Sequence, residues 1–95
     1  MALVLVDAEN VRRSLWPNLS RDELVARVRA WGEREGHEVR IVFEGERSAD
    51  DEIVELAAAN EGAPVWVVTS DRELRRRVSP FADRLLGGGS FAKSL

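Results

Sequence analysis

The chain has 95 residues, 44% of them hydrophobic and 33% charged, which is enough for one small domain with one core and excludes a disordered chain. Its longest apolar runs, residues 2–6 and 63–68, fall far short of the ~20 residues of a membrane span. With no cysteine there is no disulfide, thiolate metal site or cysteine nucleophile, and with no greasy leader the expected compartment is the cytoplasm.

The first apolar run, Ala2 to Val6, reads as a strand. A short helix or turn is expected after Asn10, ending before Trp16-Pro17. Ser20-Arg21-Asp22-Glu23 is a capping box, and Leu24, Val28 and Trp31 recur at helical spacing until Gly36. Val39 to Phe43 is the second strand. Ser48 opens the next helix, with Ile53, Leu56 and Ala57 inward and Gly62 as its stop. Val65 to Thr69 is the third strand, and Ser70 opens a helix that Pro80 interrupts. A weak strand around Arg84 to Leu86 leads through Gly87-Gly88-Gly89 to a turn capped by Ser90 and a last fragment, Phe91 to Leu95.

Strands apolar on both faces, alternating with amphipathic helices, predict a three-layer α/β/α domain over residues 1–95. Its sheet should be four-stranded and mainly parallel, in the order 2-1-3-4. In such a sheet the acids following the strands share one rim: Asp7 after strand one, Glu44 after strand two, and Ser70-Asp71 after strand three. Asp50 and Asp51 open the intervening helix on the same side. With strand one between strands two and three, the switch-point crevice falls between Asp7 and Asp71. Strands about 4.8 Å apart would let both carboxylates share a small cation. Each helix-opening acid has a simpler explanation in the helix dipole. As a group they would repel, at about 3 kcal/mol per close pair, unless a cation sits among them. Oxygen donors without His or Cys point to Mg²⁺ or Mn²⁺, and such a site suits metal-assisted phosphodiester hydrolysis.

Fourteen basic against seventeen acidic residues leave a net charge of −3, so a polyanion must be met locally. The candidates are Arg12 and Arg13 after strand one, and Arg72, Arg75, Arg76 and Arg77 after strand three, with guanidinium forks that suit phosphate. A solvated helix face with a Glu73–Arg77 pair is the plainer reading of any one of them. His37 belongs to the opposite rim, where catalysis is not expected. Trp31 and Trp66 read as core, and Trp16 as a cover for the core or a platform for a base.

The segments Val6-Asp7-Ala8-Glu9-Asn10, Val42-Phe43-Glu44, Ala49-Asp50-Asp51 and Val68-Thr69-Ser70-Asp71 resemble, in type and order, those of NYN domains, PIN-like metal-dependent nucleases. The similarity is greatest to the YacP-like branch, in which Trp16-Pro17 and the closing Gly-Gly-Ser-Phe also have counterparts. The resemblance implies an endoribonuclease with an acidic Mg²⁺/Mn²⁺ site, acting on RNA that is free or presented by a ribosome. It implies Asp7 as a metal ligand with Asn10 as an orienting partner, Asp50 and Asp51 as the helix-opening pair, and Asp71 as a ligand beside Ser70. Glu44 stands where many members carry Asp. Asp7, Asp51 and Asp71 are the expected principal ligands, with Asp50, Glu44 and Asn10 in support; Arg12, Arg13, Arg72, Arg75, Arg76 and Ser70 are the expected RNA contacts.

One departure favours a different outcome. Relatives usually have an extra strand and basic loop before the Ala-Asp-Asp helix, where this chain has only Gly45-Glu46-Arg47-Ser48. The alternative is therefore a catalytically impaired RNA- or protein-binding module on the same fold. A receiver-like phosphoacceptor fits less well, because it wants a lysine after the last strand and the chain's one lysine is Lys93.

Overall fold

The four apolar runs form the strands of a single sheet in the computed structural model, which describes residues 1–95. The elements in chain order are β1 (Leu3–Asp7), α1 (Ala8–Arg13), α2 (Arg21–Glu35), β2 (Glu38–Val42) and α3 (Ala49–Ala59). They continue with β3 (Val65–Val68), α4 (Arg72–Val78), β4 (Arg84–Leu86) and α5 (Gly88–Lys93). The sheet order is β2-β1-β3-β4 and every pairing is parallel. Register places Leu3 opposite both Glu38 and Val65, so the three strands start together and their carboxyl ends share one rim.

Alternation along the strands divides the core in two. Val4, Val6 and Val68 face Ala8, Val11, Leu24, Val28, Trp31 and Phe91 of α1, α2 and α5. Leu5, Val65 and Val67 face Ala49, Ile53, Ala57, Leu74 and Val78 of α3 and α4. This is the three-layer arrangement expected from strands apolar on both sides. Winding reverses between β1 and β3, because the chain passes first to β2 and then returns across β1 through α3.

Several boundaries differ from those read from sequence, for local reasons. The first helix begins at Ala8, not after Asn10, because Asp7 ends β1 and itself occupies the N-cap position. Helix α3 ends at Ala59 with Asn60 in extended backbone, so Gly62, at φ 90°, turns the loop beyond the helix and does not stop it. The cap of α4 is Asp71, whose carboxylate accepts from the Leu74 N–H at 2.9 Å; Ser70 stays outside the helix. The last helix starts at Gly88 with Gly87 as its cap, three residues before the expected cap, Ser90. By contrast, Ser20 caps α2 by accepting from the Glu23 N–H at 3.1 Å, and Gly36, at φ 75°, closes it in the left-handed region.

The amino-terminal rim is built for packing. His37 Nδ1 accepts from the Ala2 N–H at 3.0 Å, and its ring lies 5.7 Å from Trp31 and 4.5 Å from Trp66. Gly32 is pressed against the start of β2, where a Cβ would come within 2.8 Å of Val39 Cγ1. Arg84 covers the open face of Trp66 at 4.8 Å. No helix is long and apolar enough to cross a membrane.

Candidate active site

At the carboxyl rim, parallel strands deliver acids from separate parts of the chain to one place. A cleft of 530 Å³ opens there, with no hydrophobic residue in its lining. Its lining is Asp7, Glu44, Asp50 and Asp71 together with Glu9, Asn10, Arg13, Ser14 and Arg21.

Asp7 is at the centre and only 7% exposed. Its Oδ2 accepts from the hydroxyl of fully buried Thr69 at 2.8 Å, and Thr69 Oγ1 in turn accepts from the Asp71 N–H at 3.1 Å. One hydroxyl thus fixes the carboxylate of β1 against the backbone that positions Asp71. Arg75 secures the same turn by donating to the Thr69 carbonyl at 2.8 Å. Asn10 holds the turn from the other side: its Oδ1 accepts from the Ser70 N–H at 2.9 Å, and Ser70 Oγ accepts from the Gly88 N–H at 2.8 Å. Gly88 is required for this contact, since a Cβ there would lie 2.3 Å from Asn10 Oδ1 and 2.9 Å from Ser14 Oγ.

The charges in the cleft are poorly compensated. Burial pushes the Asp7 carboxyl above its ordinary pKa, the Thr69 hydroxyl pulls it back, and the charges of Asp50 and Asp71 push it further up. Partial burial also raises Asp50, with the charges of Asp71 and Glu44 adding to it and Arg77 opposing. A cation among these carboxylates would relieve their mutual repulsion. The donors are all hard oxygens, which fits Mg²⁺ or Mn²⁺. They do not form a ready cage, for no group of three acidic or histidine side chains is close enough to hold a metal ion. Asp71 Oδ1 is engaged in capping α4, and Glu44 Oε1 accepts from the Ala49 N–H at 3.3 Å at the start of α3.

The structure separates the acidic pair that the sequence joins. Asp50 lines the cleft, whereas Asp51 lies outside it, with its Oδ1 2.8 Å from Arg77 Nη2. The reason is helical phase. Ala49, Ile53 and Ala57 are the buried stripe of α3, and at about 100° per residue Asp50 falls within roughly 20° of Ala57, while Asp51 points well away.

The arginines are also redistributed. Arg12 pairs with Glu9 and donates to the Leu19 carbonyl at 2.9 Å; Arg75 is committed to Thr69, Arg76 to Glu73, and Arg77 to Asp51 instead of the expected Glu73. Of the arginines expected to meet RNA, Arg13 lines the cleft, and Arg72 stands exposed at the start of α4. Three cleft residues, Glu9, Ser14 and Arg21, were not expected from sequence. Glu9 sits between Arg12, Arg13 and Arg21, and Arg21, read only as part of a capping box, reaches it at 3.4 Å. No sequence signal pairs residues 9 and 21, which meet only because α2 packs beside α1.

Comparison with known proteins agrees with this architecture. The chain is similar to the crystal structure of Rae1 (YacP) from Bacillus subtilis, solved as a tryptophan-to-leucine mutant. The TM-score is 0.79 at 21% identity, over 99% of this chain and 74% of that one. This chain therefore has a YacP-like fold. No protein-family model matches it, and no curated protein matches it.

Proposed function

We propose that the protein is a metal-dependent endoribonuclease that hydrolyses RNA phosphodiester bonds in the acidic cleft. The observation carrying this reading is that Asp7, Glu44, Asp50 and Asp71, from three separate stretches of chain, line one cleft at the switch point, with Asp7 and Asp50 raised above their ordinary pKa values. The YacP-like fold supports it, as does the NYN resemblance of the segments that carry these residues.

Asp7, Asp50 and Asp71, which form no cage in the resting cleft, would have to draw together to hold Mg²⁺ or Mn²⁺, with Glu44 at the edge. Asp50 takes this role in preference to Asp51, whose carboxylate is engaged by Arg77 outside the cleft. When bound, the ion supplies a water of lowered pKa and neutralises charge on the phosphate. Thr69 fixes the Asp7 carboxylate; Asn10 and Ser70 hold the turn that presents Asp71. The RNA is a cytoplasmic one, free or ribosome-bound.

The alternative, a binding module without turnover, is favoured by one observation: the acids are near one another without forming a cage. A single experiment separates the two. Purified protein incubated with structured RNA and Mn²⁺ should cleave it, and Asp7→Asn and Asp50→Asn should abolish cleavage while Asp51→Asn largely preserves it. RNA binding with no cleavage by the parent chain would establish the module instead. Mn²⁺ should also raise the Tm of the parent chain but not that of Asp7→Asn.

A further inference from the structure

Beside its acids the cleft lining holds two arginines, Arg13 and Arg21. These are 71% and 64% exposed at the side chain, and both pair with Glu9, whose side chain is only 12% exposed. Glu9 therefore acts as an internal anchor, and with Arg12 also on it the cluster carries an excess of positive charge. Arg21 is steadied from a second direction by the Phe43 ring, 5.4 Å from its guanidinium carbon. Three residues beyond Arg13 is Trp16, 90% exposed in the loop joining α1 to α2. It does not cover the core. An indole left this open on a small protein is costly to keep in water and suited to a flat apolar partner.

We propose that Arg13, Arg21 and Trp16 form a subsite for an unpaired ribonucleotide, with its phosphate on the two guanidinium groups and its base stacked on the indole. Guanidinium forks match phosphate oxygens, and the charge is local in a chain whose net charge of −3 would otherwise repel the polymer. Stacking on Trp16 requires a base whose face is free, so the subsite selects single strands, loops and bulges over duplex. The inference extends the endoribonuclease reading by naming its substrate class: an RNA strand running from these arginines to the carboxylates would be cut next to an unpaired nucleotide.

The test is a fluorescence titration of the full chain with a short oligouridine in EDTA, so that binding is read without turnover. Trp31 is buried and Trp66 lies against His37 and Arg84, which leaves Trp16 as the indole that a base can quench. Binding should quench the emission. Trp16→Ala should remove the quench and, read by anisotropy of a labelled oligouridine, weaken affinity on the order of tenfold, with Trp16→Phe restoring affinity in the same assay. Arg21→Gln should lower the slope of log affinity against log salt by about 0.7, and Arg21→Lys should restore it. Three results would each overturn the subsite: no saturable binding by the parent chain, unchanged binding by both Trp16→Ala and Arg21→Gln, or equal affinity for a duplex of the same sequence. If these variants behave as expected but no metal-dependent cleavage occurs, the nuclease reading alone fails. Cleavage with unaltered binding in the variants removes the subsite alone.

Discussion

Thr69 is a single buried hydroxyl with two tasks, donating to Asp7 and accepting from the Asp71 N–H. Thr69→Val keeps the shape and removes both, leaving a buried carboxylate oxygen and an amide without partners. The expected loss is about 1–3 kcal/mol in urea denaturation, together with weaker Mn²⁺ stabilisation. Asp7 itself should behave in the opposite sense. Its folded-state pKa is raised, chiefly by burial, so the native state holds the proton more firmly than the unfolded chain. The associated stability is fully present below the unfolded carboxylate pKa, about 3.9, and is lost as pH rises through the folded value. In EDTA, Asp7→Asn should therefore melt at a higher temperature than the parent at neutral pH, with the gap closing as the solution is acidified. A neutral-pH Tm below that of the parent would show that the carboxylate is better compensated than its surroundings indicate. At this scale the sequence was only partly informative. It placed Asp7, Glu44 and Asp71 on one rim, but the choice between Asp50 and Asp51 needed the phase of α3, which the Ala49, Ile53, Ala57 stripe carries. Glu9 and Arg21 could not be joined from sequence at all, since helix packing alone brings them together.

Among the elements, the short α5 has an effect beyond its six residues. Phe91 and Ala92 pack into the α1/α2 side of the core, with Phe91 4.9 Å from Trp31, while Gly88 touches Asn10 and Ser14. Gly88→Ala should displace Asn10 from the Ser70 turn and cost about 1–3 kcal/mol through overpacking, read by thermal unfolding. The proposed nuclease activity should fall further than the stability loss explains. Strands and long helices were legible in the sequence because period and caps agree, as with Ser20 and Gly36 bounding α2. Helix starts at the rim were not. There Asp7 takes the N-cap position without a side-chain capping bond, Asp71 caps α4, and Gly88 after β4 serves a close contact that has no local pattern.

Across the whole molecule, one sheet carries two core layers, and each strand contributes to both. Leu24 and Leu5 lie fully buried on opposite sides of it. Leu24→Ala and Leu5→Ala should each cost about 2–5 kcal/mol, and unfolding followed by circular dichroism should remain a single transition in both. Two separate transitions would mean that the layers melt independently. Strand order was legible because buried parallel strands and right-handed crossovers leave few arrangements, and order alone fixes which acids are neighbours. The clasp of Gly88 on Asn10 and Ser70 has a consequence for how the protein is made. During vectorial synthesis Asp7 and Asp71 are made before the segment that braces their supporting turn, so the turn that presents Asp71 gains its clasp only after residues 88–93 have been added.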